Sequence, residues 1–438
     1  MNPNGNVADF YERMPYPAPV ANLDREKELY ANPLRRRAHF HLAWPTRRPT
    51  AHLKILVAGC GTSQAARYAL REPDAHITGI DLSEASLLHT RDLQRKHKLT
   101  NIELHRLPIE RAQDIGRTFD MIVCTGVLHH LPDPDEGLRA LRNVLKPGGA
   151  MRLMVYAPYG RAGVYMMQEY CRLLGVSASR GDLRDLAASL GALPADHPIA
   201  RVLRHAKDFL RPDAMADALL HPQDRAYSVP ELYAWLDRCG ITFGRWIDQA
   251  PYLPQCGLVE RSPHAARLAA LPPPLQHAAV ELFRGTVVSH SFIAYRDDRD
   301  ESSQPIGFTG DTWRSYIPIV PPWTLAVRER LPPGSVAVLI NRSHTHTDLI
   351  CPVDAFESRL LGAVDGNRTV GEILKITDPL CEREAQAAKA FERLWQYDQI
   401  VFDASRAAIG AALCDATPGS GAEQPTRSRD DAQLGGAL

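Results

Sequence analysis

The chain lacks several features that would each have decided its class. Lys+Arg 51 against Asp+Glu 51 leaves no net charge over 438 residues, so there is no basic excess of the kind a dedicated nucleic-acid binder sets against phosphates. Its eight cysteines include no Cys-x-x-Cys pair, which gives neither a zinc-site spacing nor a disulfide framework and points to a reducing cytoplasm. No apolar stretch approaches the ~18 residues of a transmembrane helix. The opening Met1-Asn2-Pro3-Asn4-Gly5 has no basic-then-apolar leader, and no internal repeat is visible. These absences lead to the expectation of a cytoplasmic chain that does not contact a membrane. With a hydrophobic share of 45%, it should fold into roughly two or three domains of ~100–200 residues each.

What is present centres on Ile55-Leu56-Val57-Ala58-Gly59-Cys60-Gly61-Thr62-Ser63. The apolar run reads as a buried strand, and the glycines turn the chain into a helix near Gln64. About 20 residues past the turn a second apolar run ends in Asp81, the position at which a carboxylate can accept ribose hydroxyls. A dinucleotide fingerprint would need a third glycine at 64, where Gln64 stands. A pyrophosphate resting on bare amides at the helix start is therefore disfavoured, and a dehydrogenase with it.

Strand and helix patterns alternate from Leu53 to Tyr156, which predicts an open parallel sheet with helices on both faces. Lys146-Pro147-Gly148-Gly149 reads as a helix stop before a fifth strand over 150–156. Residues 157–227 look helical, Ser228-x-x-Glu231 is a capping box, and Ile241–Ile247 and Ser289–Tyr295 are strands able to pair antiparallel at one sheet edge. The expected domains are an N-terminal helical cap or lid over 1–50 and an α/β domain over 51–297. The latter would carry a substrate-side helical insertion at 157–230 and a second insertion at 249–288. A small α+β domain over 301–403 and a disordered tail over 404–438 would follow.

In order along the chain stand Val57-Ala58-Gly59-Cys60-Gly61-Thr62, Gly79-Ile80-Asp81-Leu82-Ser83, Phe119-Asp120-Met121-Ile122, Gly126-Val127-Leu128-His129-His130-Leu131 and Leu145-Lys146-Pro147-Gly148-Gly149. These segments resemble the successive motifs of class I S-adenosylmethionine-dependent methyltransferases, in particular a bacterial subset with an Ala-Gly-Cys-Gly turn. The resemblance implies a Rossmann-like α/β fold, a seven-stranded mostly parallel sheet with an antiparallel edge strand. It also implies S-adenosyl-L-methionine as cofactor. By the same resemblance Val57, Gly59, Cys60 and Gly61 line the methionine part and Asp81 and Leu82 the ribose. Leu107 and Pro108 border the adenine, and Thr125, Gly126 and Val127 lie beneath the cofactor. Ser63 stands where the family has a third glycine, a substitution that a left-handed backbone would penalise.

Three further groups are candidates for chemistry. His129 and His130 form the candidate catalytic pair, since an imidazole can take a proton from a nucleophile near neutral pH. His221, Asp224, Arg225 and Tyr227 form a candidate substrate loop, offering a base, a carboxylate, a guanidinium and a phenol on one connection. Tyr11 and Tyr16 are expected to close over the cofactor, since aromatic faces suit a sulfonium. His344 and His346 have no third ligand at suitable spacing, and no metal is expected. The segment Phe356–Val370 resembles small winged-helix domains that recognise peptides, which makes 301–403 a possible surface for a protein or peptide partner. The expected activity is methyl transfer to an oxygen or nitrogen of a small molecule or peptide. The alternative is a non-catalytic sensor or scaffold that binds the cofactor and a partner.

Overall fold

The structure, a computed structural model, describes residues 12, 17–206, 208–299, 306–380 and 382–406. Its centre is a seven-stranded sheet in the order β3-β2-β1-β4-β5-β7-β6. The strands are β1 (Lys54–Ala58), β2 (His76–Asp81), β3 (Ile102–Arg106), β4 (Phe119–Thr125), β5 (Leu145–Tyr156), β6 (Ile241–Trp246) and β7 (Ser289–Arg296). β1 pairs parallel with β2 and β4, and β4 with β5, whereas β7 runs antiparallel between β5 and β6.

Alternation within the strands explains why both sheet faces are covered. Leu56 and Ala58 enter one buried cluster with Ile122, Cys124, Leu153 and Trp235, while Ile55 and Val57 enter another with Val123, Ala65 and Leu87. A run apolar at every position is what a parallel strand buried on both faces requires. Helices Gln64–Arg71, Glu84–His97 and Pro134–Val144 cover those faces. The last begins at Asp133, whose side chain accepts from the Asp135 and Glu136 N–H groups, satisfying the orphan donors of a helix start. The helix ends at Val144, just before the Lys146–Gly149 stop, but β5 starts earlier than expected and runs through Lys146–Gly149.

The 157–230 insertion contains helices Ala162–Leu174, Arg180–Gly191, Ala200–His205 and Pro212–Leu220, with an apolar core of its own. The capping box forms, Glu231 accepting from the Ser228 N–H at 2.8 Å.

The C-terminal unit contains a three-stranded antiparallel sheet, β11-β10-β9, and a two-stranded one, β12-β8. Its strands are β8 (Ile317–Ile319), β9 (Thr324–Val327), β10 (Ala337–Asn341), β11 (Ile350–Val353) and β12 (Val401–Asp403). Helices Ala355–Gly362, Val370–Thr377 and Glu384–Gln396 come after β11. In this unit four strands precede the three helices, and only β12 follows them among the described residues. Ala404 and Ser405 are buried, and Ala404 donates to the Pro45 carbonyl at 2.7 Å, so the chain is still packed past 403. The expectations for Tyr11, Tyr16 and residues 407–438 lie outside the described residues.

Candidate active site

The carboxyl ends of β1, β2 and β4 converge on one cavity of about 1050 Å³, the place where open α/β sheets bind ligands. Gly59 and Gly61 adopt φ of +66° and +54°, a backbone open to glycine at little cost. A Cβ on Gly59 would stand 2.4 Å from Val127 Cγ2. Ser63 escapes the expected penalty, since its φ is −157°, ordinary extended backbone.

Asp81 closes the turn from the β2 side. Its Oδ2 accepts from the Gly61 N–H at 2.7 Å and its Oδ1 from the Ser83 N–H at 2.9 Å, leaving further lone pairs on both oxygens. Burial raises its pKa, the three amides of Ser83, Gly61 and Leu82 act against the rise, and Glu12 adds to it. Glu12 itself accepts from the Glu84 N–H at 2.7 Å, at the start of the helix after β2. Leu82, Leu107 and Ile109 give the cavity an apolar wall beside Asp81. Pro17 lines the opposite rim, held by the Thr62 hydroxyl at 2.7 Å.

Among the sequence-derived cofactor residues, Gly59, Cys60, Gly61, Asp81, Leu82, Leu107, Thr125, Gly126 and Val127 line the cavity. Val57 does not, being fully buried in the sheet core, and Pro108 is flanked by lining residues without being one. Gln64 and Ser86 also line the cavity, and Gln64 Nε2 donates to the Thr125 hydroxyl at 2.5 Å. Cys60 is buried, and its thiol is pushed well up by burial and by Asp81, which leaves it unreactive.

The histidine pair divides. His130 reaches the cavity; His129 lies behind it, 1% exposed, its ring 4.0 Å from that of Tyr156. His130 Nδ1 lies 2.7 Å from the Gln223 carbonyl. A carbonyl only accepts, so Nδ1 carries the proton and Nε2 holds the lone pair. That Nε2 is buried with no hydrogen-bond partner among the described residues. Burial lowers the His130 pKa to about 4, the Gln223 carbonyl acts against this and Arg161 adds to it, so the ring is neutral at physiological pH.

The expected substrate loop stands behind His130 rather than in the cavity. Tyr227 stacks on Trp235 at 4.7 Å in the sheet core, Arg225 points outward, and the His221 ring packs 4.0 Å from that of His130. Asp224 accepts from Gln168 at 2.8 Å and Arg161 at 3.3 Å. None of the four lines the cavity, because the isolated bridge from Tyr156 to Ala226 binds the loop to the end of β5. Ligand atoms of His129, His130 and Asp224 come within 4.8 Å of one another. The Arg161 guanidinium already holds Asp224 and the Gln223 carbonyl holds His130, so the group forms a hydrogen-bonded wall. Two residues that sequence reading passed over do line the cavity: Tyr156, and Arg161, whose guanidinium stacks 3.6 Å from the Tyr156 ring centre. Neither belongs to a recognisable spacing.

Residues 56–151 match the family model of a methyltransferase domain. An uncharacterised protein of Synechococcus is 38% identical over 209 residues, 46% of this chain and 50% of its own length. The ubiquinone biosynthesis O-methyltransferase of Acinetobacter baylyi is 34% identical over 97 residues, 22% of this chain and 40% of its own. The chain thus spans half or less of the length of these two curated relatives. Among solved structures, PKMT2 from Rickettsia typhi in complex with AdoHcy aligns at a TM-score of 0.60 and 15% identity, covering 85% of this chain and 75% of that one. At that identity the likeness is one of fold.

Proposed function

We propose that this chain is an S-adenosylmethionine-dependent methyltransferase acting on an oxygen or nitrogen nucleophile of a small molecule or peptide. One observation carries the reading: Asp81 and the Gly59–Gly61 turn share one cavity with His130 and with the polar side chains of Arg201, Asp217, Asp248 and Ser343. The Asp81 end suits a single nucleoside, with a carboxylate for ribose hydroxyls, an apolar wall for a base, and no anion-binding helix start for a pyrophosphate. The match of residues 56–151 to a methyltransferase domain supports the same choice.

When bound, S-adenosylmethionine supplies a methyl group on a positively charged sulfur, which an acceptor lone pair attacks as the carbon–sulfur pair returns to sulfur. The chain's part is placement, since holding the reactants in line supplies much of the acceleration. His130 Nε2 accepts the hydrogen bond of an acceptor O–H or N–H, fixes its lone pair and takes up the proton that the methylated acceptor sheds. Gln223 holds the ring in the tautomer that can do this, and Arg161 and Tyr156 form the adjoining wall.

Calorimetry tests the reading directly. The full chain should bind S-adenosylmethionine. Asp81→Ala should weaken binding about 10–100-fold, the worth of one or two hydrogen bonds to a charged group. A folded wild-type chain that binds none would overturn the reading.

A further inference from the structure

The cavity does not end within the sheet domain. Beyond His130 it is bordered by Arg201, Asp208 and Asp217 from the helical insertion and by Asp248, Pro251 and Tyr252 after β6. The loop Ser343-His344-Thr345-His346 of the C-terminal unit completes it. That unit is fixed against the same wall at several points. Asp398 accepts from the Gln249 and Ala250 N–H groups at 2.7 and 2.9 Å and from Arg245 at 3.2 Å. Asp348 accepts from Arg284 at 3.0 and 2.9 Å and from the Leu258 N–H at 3.1 Å. The loop itself is pinned: the Ser343 N–H donates to Asn341 Oδ1 at 2.7 Å, and its hydroxyl contacts Asn341 and Asp248.

A loop held this firmly at a cavity wall would normally have its own polar groups satisfied. His344 does not: both ring nitrogens are buried with no hydrogen-bond partner among the described residues. A buried imidazole left so costs free energy unless a ligand completes it.

We propose that Ser343–His346, together with Asp248, is the acceptor-recognition subsite of this enzyme, and that it takes an uncharged, hydroxyl-bearing small molecule. The inference rests on the methyltransferase reading and names the substrate class of the same site. The chemistry of the lining selects that class. Burial lowers the pKa of both imidazoles; at His344 Asp248 acts against this and Arg284 with it, and at His346 Arg284 adds to burial, bringing it to about 4. A neutral imidazole offers one donor and one acceptor, which a hydroxyl matches with one acceptor and one donor. Arg161 and Arg201 share this lining with Asp208, Asp217 and Asp248, so an anion and a cation would each meet like charge, whereas a hydroxyl can donate to a carboxylate and accept from a guanidinium.

The test uses the full chain, methyl-tritiated S-adenosylmethionine, and a bacterial metabolite extract split on cation and anion exchangers. Acceptor activity should appear in the neutral flow-through. His344→Ala and Asp248→Asn should each raise the extract concentration needed for half-maximal transfer at least tenfold, with affinity for S-adenosylmethionine within twofold of wild type. Activity retained on either exchanger would overturn the substrate class. Unchanged half-saturation in both variants would overturn the subsite. A wild-type chain that binds no S-adenosylmethionine would instead refute the methyltransferase reading on which the subsite depends.

Discussion

At Gly59 two independent constraints meet on one residue. Its φ of +66° penalises any side chain, and the space a Cβ would take is filled by the stiff, branched Val127. A left-handed backbone costs a non-glycine residue roughly 1–2 kcal/mol, and the contact adds to that. Gly59→Ala should therefore weaken S-adenosylmethionine binding more than tenfold, and adding Val127→Ala should recover part of the loss, since it removes the clash and leaves the φ. Calorimetry on the single and double variants decides; a double variant no better than the single would mean that Val127 is not the obstacle. These residues were readable beforehand because a glycine turn and a carboxylate one strand later stand at fixed chain positions. His130 was readable only as half of a pair, since nothing local says which of two adjacent histidines faces a cavity. Its role depends on the Gln223 carbonyl, a partner distant in the chain.

At the level of elements, β1 was legible because it is an apolar run closed by glycine, and β2 because its apolar residues end in a carboxylate. β8 and β11 were not. β8 is Ile-Pro-Ile and β11 is Ile-Cys-Pro-Val, and a proline ordinarily argues against a strand. Both prolines are tolerated because β11 is an edge strand and β8 belongs to a two-stranded sheet. The docking of the C-terminal unit was likewise invisible, since Asp398 and Asp348 act on backbone groups far away in sequence. Arg245 is buried beside Asp398. Leaving buried hydrogen-bonding groups without their partner typically costs about 1–3 kcal/mol. Asp398→Ala should lower the urea midpoint accordingly; a change under about 1 kcal/mol would show that the contact is not what holds the unit in place.

For the whole molecule, histidine burial sets the response to acid. His130 and His277 are lowered to about 4 and His221 to about 3, and His39, His129, His344 and His346 shift the same way, burial being the largest cause throughout. Between about pH 6.5 and 4 these groups bind protons in the unfolded chain and not in the native one, so stability falls as pH falls. Asp398, raised to about 8, Glu72, raised to about 7, and Asp81, also raised, all chiefly by burial, act in the opposite sense over that window, three carboxyls against seven imidazoles. Urea midpoints should decline steeply on acidification from pH 6.5 to 4.5. His277→Gln should flatten the slope by about one proton, and a midpoint indifferent to pH would contradict the assignment.

The packing of the N-terminal helix Pro33–Ala43 on β12 has a consequence for synthesis. Arg37 donates to the Gly366 carbonyl, 329 positions later, and Ala38 and Leu42 share an apolar cluster with Ile319 and Val401. At ~5–20 residues per second, a ribosome needs roughly 16–66 s to deliver the partner of a helix made near the start. For that interval the face of the helix that carries Ala38 and Leu42 lacks its native partners. A nascent chain stalled before β12 should therefore expose it to proteases and chaperones, which makes those first helices a reporter of completed translation.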